Sequence, residues 1–130
     1  MLNYLSNGNL ETETAQPATL DMDRLAAGMK VLADPRRLSI LNVLMEGVQC
    51  NCEIAERLGV SLSLISYHLR ILAEAGLVSG ERDSDDARWV YYAVNAEALQ
   101  GLRQDLALLL DVNRIRPRNP SCGPKGCDDC

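Results

Sequence analysis

Residues 48–72 constrain the fold of this chain more than any other stretch, because they read as two helices joined by a tight turn: VQCNCEIAERLGVSLSLISYHLRIL. Asn51 is a suitable N-cap for a short first helix, and Gly59 can end that helix because a residue without a Cβ adopts positive φ freely. Ser61 can cap the second helix. Its apolar residues recur at one-face spacing: Ile65, Leu69 and Leu72. The stretch predicts a helix-turn-helix, and a helical hairpin that serves only the core is the alternative.

The composition predicts one folded domain and limits how it can bind nucleic acid. The chain has 130 residues, of which 47% are hydrophobic and only 4% aromatic, so aliphatic helix packing must form most of the core. The net charge of −5 has the wrong sign for a protein that coats nucleic acid without sequence preference. Any DNA binding must therefore use a local surface. No apolar run reaches membrane-spanning length and no basic residue precedes Arg24, so no membrane association is expected and the cytoplasm is the predicted compartment.

The chain divides into three predicted segments. Residues 1–20 are polar and lack a hydrophobic period, which indicates a mobile N-terminal arm. Residues 116–130 are rich in Gly, Pro and Cys and are predicted to form a flexible tail. Residues 21–115 between them are predicted to form the DNA-binding and dimerisation domain.

Three further helices are predicted around the helix-turn-helix. The first runs to about Ala33, and the second starts with Asp34 as N-cap and Pro35 at its first position, then ends at Gly47. The last spans residues 96–115 and carries a wide leucine stripe. That stripe can close the core of the monomer, seal a dimer, or do both.

A small β-hairpin is predicted between the helix-turn-helix and the last helix. Residues 77–78 and 89–94 are rich in the β-branched and aromatic side chains that favour strands. The polar tip between them, residues 82–88, predicts a wing. The expected fold is mainly α-helical with a small β-hairpin wing: a winged helix-turn-helix that dimerises through its first and last helices.

Five ordered motifs resemble those of the ArsR/SmtB family of winged-helix metal-sensing repressors. They lie between about residues 21 and 113: LADPRRL at 32–38, CNCEIA at 50–55, SYHLRIL at 66–72, AGLV at 75–78 and RWVYY at 88–92. The Cys-x-Cys pair is similar to that of the arsenic-responsive branch, or of the related thiolate-based cadmium/lead branch. The resemblance implies a homodimeric repressor that binds double-stranded operator DNA and releases it when an inducer ion binds.

The second helix of a helix-turn-helix enters the major groove, where its N-terminal side chains meet base edges. The side chains predicted there can hydrogen-bond to bases or phosphates: Ser61, Ser63, Ser66, Tyr67, His68 and Arg70. Packing or metal ligation are the alternatives for His68, the only histidine. Arg82 and Arg88 flank the wing tip and are predicted to contact DNA weakly. The acids between them repel phosphate: Asp83, Asp85 and Asp86.

Five cysteines in a predicted cytoplasmic chain favour metal ligands or redox thiols over disulfides. Cys50 and Cys52 stand at the entrance of the helix-turn-helix, where irregular backbone can bring two sulfurs together and a helix N-terminus favours the thiolate. The tail adds three cysteines at C-x4-C-x2-C spacing: Cys122, Cys127 and Cys130. These either complete a site with Cys50 and Cys52, in the same or the other chain, or form a separate three-thiol pocket.

Thiolates select soft ions, and the number of sulfurs separates the candidate inducers. Three sulfurs suit trivalent arsenic (arsenite) or antimony (antimonite), whereas four suit tetrahedral zinc, cadmium or lead. We expect arsenite, bound by Cys50 and Cys52 with the remainder from the tail. The tail is needed because Ala55 stands where an arsenic-responsive relative can carry its third cysteine. The last predicted helix contains no histidine, so the family's alternative zinc site there is not expected.

A thiol redox or metal-transfer protein is the alternative from a different class, because Cys127 and Cys130 have the C-x-x-C spacing of redox pairs. That pair follows no predicted strand and opens no predicted helix, as a thioredoxin-like motif would. Within the DNA-binding class, the alternative is a repressor that senses oxidants through Cys50 and Cys52. The sequence holds no Ser/His/Asp catalytic set or phosphate-binding glycine loop, so the chain is predicted not to be an enzyme.

Overall fold

The computed structural model describes residues 19–117, so nearly all of the predicted arm and tail lies outside the described residues. The helices in this range are α1 (Met22–Leu32), α2 (Pro35–Leu44), α3 (Asn51–Leu58), α4 (Leu62–Glu74) and α5 (Ala96–Leu109). The strands are β1 (Gln49–Cys50), β2 (Val78–Arg82) and β3 (Val90–Val94), and a 3-10 turn follows at Val112–Arg114. This arrangement confirms the predicted winged helix-turn-helix. Across residues 19–117 no helix has both the length and the apolar character of a membrane span.

Helix α2 begins as its sequence predicts. The Asp34 carboxylate accepts hydrogen bonds from the backbone N–H groups of Arg36 at 2.8 Å and Arg37 at 3.3 Å. Pro35 occupies the first helical position, where its missing N–H costs nothing. Beyond the end of α2 a turn reaches Gly47, whose φ of 128° lies in the region that favours glycine.

The helix-turn-helix consists of α3 and α4, and its first cap differs from the prediction. Cys50, not Asn51, is the N-cap of α3. The backbone of Cys50 is extended, and its N–H donates to the Glu53 carboxylate at 2.8 Å in a capping box. Gly59 ends α3 with φ of 65°, and the Ser61 hydroxyl accepts a hydrogen bond from a backbone N–H in the first turn of α4, as expected.

The wing belongs to a three-stranded antiparallel sheet in the order β1-β3-β2. Strands β2 and β3 form the predicted hairpin, in which Val78 pairs with Val94 and Arg82 with Val90. Strand β1 was not predicted. Its two residues pair with β3, with Cys50 opposite Tyr91. The residue that starts the helix-turn-helix is therefore also hydrogen-bonded into the sheet that carries the wing.

One hydrophobic core joins the five helices to the base of the wing. The α4 residues predicted to face it are fully buried: Ile65, Leu69 and Leu72. An ion pair between Arg24 and Asp105, 3.1 Å apart and partly buried, joins α1 to α5. The prediction that the last helix continues to residue 115 was wrong, because α5 ends at Leu109 and the next apolar side chains are exposed to solvent.

Candidate nucleic-acid interface and thiol site

Most of the side chains predicted to read DNA lie on the exposed side of α4. Ser61, Ser63, Tyr67 and Arg70 are exposed, Ser66 is half-buried, and Leu62 is exposed beside them. The Arg70 guanidinium carbon lies 5.6 Å from the centre of the Tyr67 ring, within cation–π range. The first three turns of α4 therefore present hydroxyl groups, one phenol and one guanidinium on a single surface.

His68 does not belong to that surface. Its side chain is only 4% exposed, and its Nδ1 lies 3.1 Å from Arg37 Nη1 on α2. A guanidinium has donors and no acceptor, so Arg37 donates in this contact. The prediction of direct DNA contact by His68 is corrected for this reason, and the alternative of packing fits the structure.

Arg37 is a functional residue that sequence reasoning missed. Besides its contact with His68, its Nε donates to the carbonyl of Val31 at the end of α1. One guanidinium therefore connects α1, α2 and α4 and holds the rotation of the DNA-facing helix. Arg37 is the second arginine of the LADPRRL motif, directly after the capped start of α2. Hydrophobic periodicity does not show that its side chain turns inward.

At the wing tip, both arginines are engaged locally. Arg82 donates to the carbonyl of Ala87 at 2.7 Å, and Arg88 forms an ion pair with Asp86 at 2.7 Å. The hydrogen bonds from Arg88 lower the pKa of the Asp86 carboxyl, which therefore stays ionised. The ion pair with Asp86 neutralises much of the charge that Arg88 could offer to a phosphate, which is consistent with the weak wing contact that was predicted.

The two cysteines at the entrance of α3 lie in different environments. Cys50 is buried and Cys52 is exposed. Burial raises the pKa of the Cys50 thiol, and the neighbouring Glu53 carboxylate raises it further. The backbone N–H of Glu53 lowers the pKa, but by less than these two effects raise it. The expectation that the helix N-terminus favours a Cys50 thiolate is corrected accordingly. Cys50 is a protected thiol, whereas Cys52 is open to solvent.

Residues 19–117 contain no cluster of three or more His, Cys, Asp or Glu side chains that could hold an ion. Cys50 and Cys52 are the two cysteines within this range. The remaining predicted ligands lie outside the described residues: Cys122, Cys127 and Cys130. The described part of the chain thus offers two thiols at the start of the helix-turn-helix and requires further ligands for a trivalent or tetrahedral ion.

The architecture and the exposed polar surface of α4 define a winged helix-turn-helix DNA-binding domain. Residues 34–79 match the family described as bacterial regulatory protein, arsR family. The chain is 40% identical over 74 residues to the arsenical resistance operon repressor of Bacillus subtilis, a match that covers 56% of this chain and 68% of that repressor. The chain belongs to the ArsR family of DNA-binding transcriptional repressors and is not an enzyme.

Two further similarities bear on inducer and assembly. The probable mercury resistance operon repressor of Streptomyces lividans is 34% identical over 76 residues, which cover 58% of this chain and 61% of that protein. A homodimeric winged helix-turn-helix DNA-binding domain from Mycobacterium bovis, solved in solution, is 28% identical with a TM-score of 0.54, over 71% of this chain and 81% of that one. The names of the two repressors refer to resistance against different agents, arsenicals in one and mercury in the other.

Proposed function

We propose that this chain represses a metalloid-resistance operon and leaves its operator when trivalent arsenic or antimony binds its cysteine thiolates. The family supports repression through DNA, and the similarity to the arsenical resistance repressor supports this class of inducer. Soft thiolates prefer such ions over hard cations. The inducer assignment is the part of the proposal that experiment must decide.

The position of Cys50 is the observation that carries the proposal. Cys50 ends β1 and caps α3, so its backbone takes part in both the sheet of the wing and the helix-turn-helix. An ion that binds its sulfur must draw the thiol out of a buried environment and disturb the capping contact with Glu53. That movement tilts α3 and with it α4. A coupling of about 1–3 kcal/mol changes operator occupancy about 5–150-fold.

We infer that the tail completes the ion site. Cys50 and Cys52 supply two thiolates, one fewer than trivalent arsenic accepts. Residues 115–122 span at most roughly 25–28 Å when extended, which allows a tail cysteine to approach a Cys50 site of the same or the partner chain. Cys122, Cys127 and Cys130 are all candidates for the third ligand.

We also infer a homodimer that forms through α1 and α5. Exposed apolar side chains on α1 and directly after α5 support it: Met22, Met29, Leu110 and Val112. An open apolar cleft of about 610 Å³ adjoins α5, lined in part by Met45, Leu99 and Leu106. A two-fold dimer places two α4 helices about 34 Å apart on successive major grooves, so a small tilt disturbs both half-sites at once.

A mobility shift on a duplex from the promoter of the chain's own operon tests the proposal. Arsenite and antimonite should release the duplex at lower concentration than Cd²⁺, Pb²⁺, Zn²⁺ or Hg²⁺. The same assay is repeated with residues 119–130 deleted, which should leave operator binding intact and weaken the arsenite response.

Release by a divalent ion at lower concentration than arsenite would instead assign a divalent-metal repressor of the same fold. Release by peroxide, with a disulfide or sulfenic acid in the mass spectrum and no response to ions, would assign an oxidant sensor. Catalytic turnover in a dithiol reductase assay would support the thiol redox alternative.

A further inference from the structure

Two consecutive arginines at the start of α2 point in different directions. Arg37 is directed inward, to His68 and the end of α1. Arg36 is exposed, and its guanidinium forms no ion pair with any carboxylate in the described range. Arg37 is half-buried and engaged by contacts inside the protein, whereas the charge of Arg36 is available on the outside.

Arg36 lies beside the turn of the helix-turn-helix. One cleft of about 480 Å³ between α2 and the end of α3 is lined by Arg36, Ser39, Gly59 and Val60, among others. Gly59 and Val60 form the turn that leads directly into Ser61, the N-cap of α4. The cationic side chain is therefore adjacent to the end of α4 that enters the major groove.

A second cleft extends this surface along α2. It has a volume of about 370 Å³, shares Ser39 and Leu58 with the first, and adds Asn42 and Arg57 to its lining. Arg36, Ser39 and Asn42 recur every three residues and so lie along one side of α2. No carboxylate lines either cleft. The Asp34 carboxylate, at the N-cap of α2, accepts from the backbone N–H of Arg36 at 2.8 Å. Glu46 is held by Arg57 in a bidentate ion pair at 2.7 and 3.0 Å.

We propose that this face of α2 and α3 binds the DNA phosphate backbone beside the groove that α4 enters, with Arg36 as the charged contact and Ser39 as a neutral hydrogen-bond donor. The inference rests on the proposed function in one respect, which is that the chain binds duplex DNA through α4. In a helix-turn-helix the first helix crosses the backbone while the second meets the bases. The two clefts lie beside α3, which is the first helix of the helix-turn-helix. The DNA backbone that α3 crosses therefore also passes over Arg36.

The surface also explains how an acidic chain holds an anionic polymer. The net charge of −5 repels DNA as a whole, so attraction must come from local cations free of acidic partners. Arg57, Arg82 and Arg88 are occupied by Glu46, a backbone carbonyl and Asp86, respectively. Arg36 on α2 and Arg70 on α4 are exposed, and neither forms an ion pair with a carboxylate within residues 19–117.

Fluorescence anisotropy across a salt series tests the proposal, using the promoter duplex and a scrambled duplex of equal length. Arg36→Ala should weaken binding to both duplexes about threefold to tenfold. It should also reduce the magnitude of the slope of log K (the association constant) against log salt concentration by about 0.9 per lost phosphate contact, or about 1.8 for a dimer. Arg36→Lys should restore the slope because it keeps the charge. Ser39→Ala should weaken binding by less and leave the slope unchanged.

Arg116→Ala is the matched control, because it removes an equal charge from an exposed position outside the helices proposed to bind DNA or to form the dimer. A slope for Arg36→Ala equal to that of the wild type, or an equal reduction in Arg116→Ala, would overturn the α2 contact and leave the proposed function intact. Failure of the wild-type chain to bind either duplex at any salt concentration would contradict the proposed function and the α2 contact together.

Discussion

Arg37 Nη1 and His68 Nδ1 meet at 3.1 Å across the packing of α2 on α4, although 31 positions separate the two residues in the chain. Arg37 supplies the donor in this contact, because a guanidinium has no acceptor. The contact fixes a buried ring in the middle of the DNA-facing helix, and the exposed side chains of that helix are directed outward as a result.

We predict that Arg37→Ala destabilises the domain and weakens operator binding. It removes two hydrogen bonds and leaves acceptors on Val31 and His68 without that donor, which typically costs about 1–3 kcal/mol in the free energy of unfolding. Urea denaturation followed by circular dichroism measures the loss. Arg36→Ala is the control and should unfold at the wild-type midpoint. An unchanged midpoint for Arg37→Ala would show that the contact with His68 does not hold the helix.

Arg70→Ala should weaken operator binding without a change in the urea midpoint. The side chain is exposed and lies against Tyr67, so its loss removes a contact to phosphate or guanine and leaves the core intact. A titration at fixed salt measures the affinity, with Arg116→Ala as the charge-matched control at an exposed position outside the proposed interfaces. Equal affinity in wild type and Arg70→Ala would mean that this side of α4 does not face the duplex.

The thiols of Cys50 and Cys52 should react at very different rates with iodoacetamide. Cys52 is exposed, whereas burial protects Cys50 and raises the pKa of its thiol, so few Cys50 thiolates exist at neutral pH. Peptide mapping after timed alkylation should find Cys52 modified first. Raising the pH toward the elevated pKa should accelerate the reaction of Cys50. Equal rates at neutral pH would contradict the buried environment of Cys50.

The ionised Asp34 carboxylate should stabilise the domain at pH values above 3.8, the ordinary pKa of this group. The stabilisation should be lost in acid. Desolvation opposes ionisation, but hydrogen bonds from the Arg36 and Arg37 N–H groups outweigh it and lower the pKa. A pKa depressed by folding contributes stability at pH above the unfolded value, and the contribution disappears as pH falls through the folded value.

Asp34→Asn is the matched variant, because asparagine caps a helix as well but carries no charge. Its deficit in unfolding free energy relative to the wild type should shrink as the pH falls below 3.8. A deficit that stays constant from neutral pH into acid would show that the carboxylate charge contributes nothing.

Local chemistry predicted those parts of the fold that depend on a few adjacent residues. Three residues have local roles that their neighbours do not alter, and each occupies the predicted position: Asp34 caps α2, Gly59 ends α3 and Ser61 caps α4. The three buried residues of α4 were predicted for a similar reason, since their one-face spacing leaves a single way to reach the core.

Features that depend on distant partners were not predictable in this way. Strand β1 has two residues, too few for a sequence period, and exists because β3 offers a free edge. Cys50 replaced Asn51 as the cap because Glu53 reaches back to its N–H. His68 lies three residues after Ile65 and four before Leu72, so spacing places it on the core side of α4. Its contact with Arg37 depends on the packing of α2 against α4, which no local pattern reports. The tail thiols lie outside the described residues, so their role stays a prediction.

The most direct test of the central claim is the operator affinity of one purified protein with and without saturating arsenite. We measure it by fluorescence anisotropy for the wild type and for the double variant Cys50→Ser, Cys52→Ser, in which serine keeps a capable N-cap for α3. The account predicts a loss of affinity of about 5–150-fold in the wild type, matching a coupling of about 1–3 kcal/mol, and no change in the double variant. Equal affinity with and without arsenite in the wild type, or an equal loss in the double variant, would contradict it.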